Sequence, residues 1–126
     1  MKKLLITLII SIFSNFTFGQ THTGRCNIGI NDVSPTTSFG YLISYRVNFK
    51  NKSQKTVDFI SWEAYYYNNA NEFIEKEKFS FNSTDYTDPI SSGFTRKSRQ
   101  FTKIYGASKV IIKITKVHFT DGTICK

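Results

Sequence analysis

The sequence predicts an all-β domain, an antiparallel sandwich of about seven short strands. In several runs the apolar residues recur at every second position, which is the period of a strand with one buried face. Clusters of Gly, Pro, Asn, Asp and Ser separate these runs at short intervals, as they do in all-β sandwiches. Beyond the first 20 residues no segment repeats its apolar residues with the helical period, so we expect no amphipathic helix.

The first two strands are predicted between residues 25 and 49. Cys26, Ile28 and Ile30 alternate with polar or small residues and mark the first strand. We expect residues 34–40 to break this strand, because Pro35 has no N–H to donate to a sheet. The second strand has the clearest alternation. One predicted face carries Tyr41, Ile43, Tyr45, Val47 and Phe49, and the other carries Leu42, Ser44, Arg46 and Asn48.

The next two strands are predicted over residues 57–67 and 73–81. In the third strand Val57 and Phe59 share one phase while Ile60 and the residues after it share the other, which indicates a β-bulge near Phe59. An asparagine-rich turn follows. The fourth strand mixes positive and negative charges, a composition typical of an exposed edge strand.

The last part of the chain predicts three more strands. Residues 82–93 form a long turn, and residues 94–105 form a strand rich in basic side chains. The following strand carries Val110, Ile112 and Ile114, and then Val117 and Phe119 after a phase slip. Asp121-Gly122 is a tight-hairpin signal that folds the final residues back onto that strand.

An N-terminal secretion signal is predicted over residues 1–19. Lys2 and Lys3 precede the apolar run 4–13, and Thr17 and Gly19 provide the small residues that a leader peptidase needs. An uncleaved anchor is the alternative, but a membrane-spanning helix needs about 20 apolar residues. We therefore expect residues 20–126 to be one secreted or periplasmic domain without a membrane span.

Cysteine content and charge agree with export. The sequence has two cysteines, Cys26 and Cys125, and an even pair in an oxidising compartment predicts a disulfide. Two unpaired buried thiols are the alternative, because bridging requires close Cα atoms. The formal net charge is +8, and loss of Lys2 and Lys3 still leaves a basic domain. Nucleic acid is not expected as the partner of an exported chain.

A pattern of residues links this chain to a known kind of domain. One strand ends in Phe49, Lys50, Asn51 and Ser53, and the next carries Trp62, Ala64, Tyr66, Tyr67 and Asn68. Later matches are Pro89, Gly93, Ile112, Ile114, Phe119, Asp121 and Gly122. The pattern resembles the small exported bacterial immunoglobulin-like domains of the FxLYD kind, although that family tends to have Asp and Gly where this chain has Asn68 and Asn71. The resemblance implies an immunoglobulin-like sandwich and implies no activity.

No pattern in the sequence predicts a catalytic or metal site. His22 and His118 have no ligand neighbour at a recognisable spacing, so we expect structural or solvent-facing roles. Asp85 and Asp88 offer oxygen ligands, but turn formation explains them better than calcium binding. Glycosylation-type triplets begin at Asn51 and at a second asparagine, Asn82, both in expected turns. We expect no cofactor and no metal.

Two sets of residues are candidates for binding. Alternation places Tyr65 and Tyr67 on the face opposite Trp62, where their rings either stack on a sugar or partner or pack across strands; we favour packing. The second set is Lys97, Arg99, Phe101 and Lys103 on one side of a strand, with Arg96 on the other. Such a run often marks only a solvated face, yet three cations beside an aromatic ring suit an anionic envelope polymer such as an acidic polysaccharide.

Together these observations predict a non-enzymatic binding or structural module of a bacterial cell envelope. Its partner would be an anionic envelope polysaccharide or another envelope protein. The alternative is a small secreted enzyme with an unrecognised site, or an enzyme inhibitor that presents the 82–93 loop. Folds of this kind occur in proteins with many different functions, so the fold does not distinguish between these possibilities.

Overall fold

The structure is a computed structural model that describes residues 21–85 and 87–126. Within these ranges the chain forms two packed antiparallel sheets and no helix, so the predicted all-β sandwich is confirmed. The strands are β1 (Ile28–Ser38), β2 (Tyr41–Asn51), β3 (Val57–Tyr67), β4 (Phe73–Asn82), β5 (Thr95–Tyr105), β6 (Lys109–Phe119) and β7 (Ile124–Cys125). The signal peptide predicted over residues 1–19 lies outside the described residues. In the described ranges no helix has the length and apolar character needed to cross a membrane.

The strand order, which the sequence left open, is β1-β2-β5 in one sheet and β4-β3-β6-β7 in the other. It matches the constant-type immunoglobulin sandwich except that the fourth strand pairs with the third strand instead of the fifth. The immunoglobulin-like fold class is therefore confirmed. The segment before β1 extends the four-stranded sheet, because Thr23 pairs in parallel with Lys113 of β6.

The core lies between the sheets and is centred on a buried tryptophan. Trp62 of β3 donates its indole N–H to the hydroxyl of Tyr45 on β2 at 2.9 Å, and both side chains are fully buried. The ring of Phe49 packs on Trp62 with centroids 4.9 Å apart. Because a buried indole or phenol needs a hydrogen-bond partner, this pair satisfies both groups while joining the two sheets.

The first strand differs from the prediction at both ends. Cys26 lies not in a strand but in a tight turn with a φ angle of 59°, which two backbone hydrogen bonds between Arg25 and Ile28 close. Pro35 does not break the strand, which continues to Ser38. The reason is that β1 is an edge strand with β2 as its neighbour on one side. On its free side no second strand needs a hydrogen bond from the backbone, so a proline is tolerated there.

The predicted faces of β2 hold for its second half and are wrong for its first. In the second half Tyr45, Val47 and Phe49 are buried on one face, as predicted. At the start of the strand Leu42 is buried and Ile43 is exposed, which is the reverse of the prediction. The register with β5 shifts between Leu42 and Ser44. Such a shift turns the preceding side chains to the opposite face of the sheet.

Three local features predicted from the sequence are confirmed. The register of β3 against β6 shifts between Val57 and Phe59, where the bulge was expected. The phase slip in β6 falls at Thr115, which has no opposite residue in the pairing of β6 with β3. The turn at Asp121-Gly122 folds β7 back onto β6.

Cys26 and Cys125 form a disulfide with Cα atoms 6.1 Å apart, so the predicted bridge is confirmed. Neither cysteine is free, which excludes the alternative of two buried thiols. The bridge ties the turn before β1 to the last strand of the other sheet. A disulfide indicates an oxidising, extracellular or periplasmic environment.

Candidate binding surfaces

The basic segment that the sequence singled out forms β5, an edge of the three-stranded sheet. Its side chains alternate between exposed positions and less accessible inner positions along the strand. The exposed side includes Lys97, Arg99, Phe101 and Lys103. Arg96 lies on the inner side, where its guanidinium sits 5.3 Å from the centre of an aromatic ring of β4. The predicted alternation of the five residues therefore holds, and four of them share one outer surface.

The neighbouring strand adds a cation that the sequence did not link to this surface. Arg46 of β2 lies directly opposite Arg99, and both side chains are exposed. The next outward pair joins Asn48 to Lys97. Directly opposite residues on a sheet face have Cβ atoms roughly 4.5–5.5 Å apart, so the two arginine side chains leave the sheet from adjacent positions. We call Arg46, Lys97, Arg99 and Lys103 the cationic face.

The cationic face has little counter-charge. The described residues form two ion pairs, and neither involves this face. The pairs are Lys55–Asp121 and Lys76–Glu63. In the strand register, Asp32 of β1 lies opposite Asn48, with that asparagine between it and Lys97. The four cations of the cationic face therefore have one carboxylate, that of Asp32, on the adjoining strand.

Aromatic rings line one end of the cationic face. Phe101 is 76% exposed and lies opposite the small Ser44. The Nζ atom of Lys103 lies 5.0 Å from the ring centre of Tyr41, which contacts the ring of Tyr105 edge-on at 5.3 Å. The cation–π contact fixes the position of Lys103 without neutralising its charge.

Tyr65 and Tyr67 lie on the outer face of the other sheet, half-buried among neighbouring side chains. The ring of Phe73 packs against both, at centroid distances of 6.1 and 5.8 Å. Lys76 and Lys113 flank Tyr65, with Nζ atoms 5.8 and 5.6 Å from its ring centre. The two tyrosines thus pack across strands, as we favoured from the sequence, and leave part of each ring accessible.

The two predicted sets of residues do not form one site. The cationic face belongs to the outer surface of β2 and β5, whereas Tyr65 and Tyr67 belong to the outer surface of β3. The thickness of the sandwich separates them, because the two sheets pack through their inner faces. A ligand on one surface does not reach the other.

A second basic surface surrounds the tyrosines. It consists of Lys76, Lys78, Lys109, Lys113 and Lys116, which lie outward on β4 and β6. Unlike the cationic face it holds a carboxylate, since Glu63 pairs with Lys76 at 3.1 Å. The hydrogen bond from Lys76 lowers the pKa of Glu63. This cluster was not predicted from the sequence, because its lysines come from two strands that are distant from each other along the chain.

The mixed charges of β4 are sorted by face, and the strand is an edge strand as predicted. The lysines point outward, while Glu75 and Glu77 lie opposite the buried Tyr66 and Ala64. The carboxylate of Glu77 accepts hydrogen bonds from the hydroxyls of Tyr66, at 2.8 Å, and of Thr102 on β5. This contact joins the two sheets on the side of the sandwich where the edge strands β4 and β5 lie.

The titratable groups whose pKa is most strongly perturbed belong to the core. Burial raises the pKa of Tyr45 and of Tyr66 above the ordinary phenol value. Both hydroxyls are engaged in the hydrogen bonds described above. They are therefore not poised as acid or base groups in an open pocket.

Each histidine contacts a neighbouring part of the sandwich. Nδ1 of His22 accepts a hydrogen bond from the backbone N–H of Ile112 at 3.0 Å. The ring of His118 packs on Phe59 with centroids 4.9 Å apart. In residues 21–85 and 87–126, no group of three or more His, Cys, Asp or Glu residues is arranged to hold a metal ion.

The glycosylation-type triplet at Asn51 is part of the core. Asn51 is 1% exposed, and its Nδ2 donates to the carbonyls of Lys55, at 2.8 Å, and Ile90, at 2.9 Å. Its Oδ1 accepts from both the N–H and the hydroxyl of Ser53. An amide with both protons engaged and no exposed surface does not serve as a glycosylation acceptor. Asn82 of the other triplet is exposed.

Comparison with models of protein families, with curated proteins and with solved structures finds no match to this chain. The resemblance to domains of the FxLYD kind therefore stays a prediction from the sequence.

Proposed function

We propose that this protein is an exported, non-enzymatic binding module of a bacterial cell envelope, and that its cationic face binds an anionic polymer such as an acidic polysaccharide. The observation that carries the proposal is the direct opposition of Arg46 and Arg99 on an exposed sheet face. Like charges placed directly opposite each other destabilise a sheet. An anionic ligand between the two guanidinium groups would convert this repulsion into attraction.

The shape of the surface favours a polymer over a small molecule. The cations lie along an open strand face, and Lys103 is six positions beyond Lys97, which corresponds to roughly 20 Å of strand. Small ligands bind in concave pockets that bury most of their surface. A linear polyanion instead meets several cations in succession, and Phe101 offers a ring for a sugar to stack on.

Export supports the choice of an envelope polymer. The disulfide between Cys26 and Cys125 and the predicted leader both favour a location where acidic polysaccharides are accessible. Guanidinium groups also suit carboxylates, because their planar donors match two carboxylate oxygens.

Titration with polygalacturonate, with neutral dextran as the comparison, tests the proposal. Binding of polygalacturonate should weaken steeply with added salt, because exposed charges are screened over about 8–10 Å near physiological ionic strength. The triple variant Lys97→Ser, Arg99→Ser, Lys103→Ser should lose binding and keep its fold, since all three side chains are exposed.

A matched control removes the same number of charges from the opposite surface. The variant Lys78→Ser, Lys113→Ser, Lys116→Ser has the same net charge as the first variant. It should retain most of the binding if the cationic face is the site. Equal loss of binding in both variants would show that binding depends on net charge and not on the cationic face. The absence of polygalacturonate binding in the unmodified protein would end the proposal.

A further inference from the structure

Exposed apolar side chains gather at one end of the sandwich. Eight large hydrophobic residues are exposed among the described residues, and four of them lie where β1 meets β2, where β4 begins and where β5 ends. These four are Phe39, Phe73, Ile74 and Tyr105, which we call the aromatic end. Ile43 and Phe101 continue the same surface along the outer side of β2 and β5.

Direct contacts hold the loops of the aromatic end together. The N–H of Gly106 donates to the carbonyl of Gly40 at 2.8 Å, which joins the β1–β2 turn to the β5–β6 turn. The side chain of Ile74 lies against Gly106. On the other side the N–H of Ser108 donates to the carbonyl of Tyr67 at 2.9 Å. The apolar residues are therefore carried on a rigid platform.

Phe39 occupies a position that its turn does not favour. Residues 39–40 form a two-residue hairpin between Ser38 and Tyr41, with φ angles of 50° at Phe39 and 80° at Gly40. Such a turn needs positive φ at both positions and prefers Asn-Gly, because a bulky side chain is strained there. Phe39 is 99% exposed, so no packing within the sandwich offsets this cost.

The described chain enters the sandwich from the same end. Thr23 pairs in parallel with Lys113, so the residues before Thr23 run towards Lys109, the first residue of β6. Thr21, the first described residue, therefore lies towards the side of the molecule that carries Phe39.

A cation flanks the exposed rings. Lys103 lies on the outer surface beside Tyr41 and Tyr105. Lys109, the first residue of β6, instead donates to Asn71 of the loop between β3 and β4. The acidic residues of this end, Glu72 and Glu75, belong to the β4 side. The region with apolar tips and positive charge is thus centred on Phe39 and Tyr105.

We infer that the aromatic end docks onto a membrane that contains anionic lipids, with Phe39 inserted into the interface and Lys103 at the headgroups. Interfacial sites combine apolar or aromatic tips with Lys and Arg that extend to the lipid phosphates. A protein partner is less favoured, because lysine is depleted in the centres of protein interfaces. This inference does not depend on polymer binding by the cationic face.

Phe39→Asn is the decisive variant, because it creates the Asn-Gly pair that the hairpin prefers and so preserves the fold. The exported protein should sediment with phosphatidylcholine vesicles that contain phosphatidylglycerol. With Phe39→Asn the apparent affinity should fall about tenfold or more, as expected from loss of one buried phenyl ring. Phe94→Thr is the matched control, since Phe94 is also exposed but follows the turn at the opposite end. It should bind the vesicles like the unmodified protein.

Phe39→Trp reports insertion directly. The emission of the introduced indole should shift to shorter wavelength on binding and be quenched by brominated lipid, while the buried Trp62 contributes a constant background. No binding to the anionic vesicles, equal loss in Phe94→Thr, or an unshifted emission spectrum of the Phe39→Trp variant would each overturn the inference. Polygalacturonate binding should survive Phe39→Asn, so failure here is distinguishable from failure of the proposed polymer site.

Discussion

At the scale of single residues, Asn51 shows how one buried amide organises a loop. It ends β2, and its side chain satisfies carbonyls on both the β2–β3 connection and the connection that leads to β5. The same segment brings Ile90 into the core, where it pairs with Val57. The second half of the long turn is therefore held against the sandwich and is not a freely projecting loop.

Replacement of Asn51 by Ala should lower the free energy of unfolding by about 2–3 kcal/mol, because it leaves buried carbonyls without donors. Urea denaturation followed by Trp62 fluorescence measures this change. Asn82→Ala is the control, since Asn82 is exposed and begins the other triplet; its effect should stay within about 0.5 kcal/mol. Similar values for the two variants would contradict a structural role for Asn51.

His22 should make the attachment of the N-terminal segment depend on pH. Burial lowers the pKa of His22 below its ordinary value of 6.5, although Asp32 acts in the opposite direction. Nδ1 must also stay unprotonated to accept from Ile112. The stabilisation is therefore complete above pH 6.5 and is lost as the pH falls towards the lower pKa of the folded state.

Hydrogen exchange at Ile112 measures this effect. The protection factor of its amide should fall between pH 7.5 and pH 5 in the unmodified protein. His22→Asn should keep protection nearly constant, because Asn offers an oxygen acceptor that does not titrate. A protection factor independent of pH in the unmodified protein would show that His22 does not control the segment.

At the scale of elements, the cations of β5 also have a structural explanation. An edge strand exposes unpaired backbone groups, and charged side chains discourage it from pairing with other chains. The cations of β5 meet that need by themselves. Edge protection does not require Arg46 on the inner neighbour β2, however, and the opposition of Arg46 and Arg99 is the observation on which the proposed polymer binding rests.

Arg99→Thr should separate stability from binding. Removal of one charge from the Arg46–Arg99 pair relieves repulsion, and threonine favours a strand, so the protein should gain a few tenths of a kcal/mol, up to about 1. Polygalacturonate binding should weaken at the same time. Thermal denaturation and titration of the same sample test both statements, and a variant that loses stability and keeps binding would contradict them.

At the scale of the whole molecule, the sandwich is closed by different means on its two sides. On the β4–β5 side, Glu77 links Tyr66 to Thr102 between the sheets. On the other side, the disulfide joins the turn before β1 to β7 across a sequence separation of 99 residues. Neither contact covers the two outer faces, which are both basic.

Loss of the disulfide should destabilise the whole domain. Replacement of Cys26 and Cys125 by Ser should lower the free energy of unfolding by about 2–5 kcal/mol, because a bridge over so long a loop restricts the unfolded chain. Urea denaturation of the oxidised protein and of the double variant measures the difference. An unchanged midpoint would show that the bridge does not stabilise the domain.

The sequence by itself determined the features that depend on neighbouring residues. Alternation fixed the strands and the outward placement of Lys97, Arg99 and Lys103, because side chains in a strand point to opposite faces in turn. The bulge near Phe59 and the Asp121-Gly122 hairpin could also be predicted, because each depends on residues that are adjacent in the sequence. The disulfide was predicted from the presence of two cysteines in a chain with a predicted leader.

Only the tertiary structure decided which strands meet. Pairing of β2 with β5 sets Arg46 against Arg99, and three separate turns bring Phe39, Tyr105 and Ile74 to one end. Pro35 was misjudged because its tolerance depends on β1 being an edge. Alternation is a local property of the backbone, whereas strand order and register depend on contacts between distant segments, which one sequence does not specify.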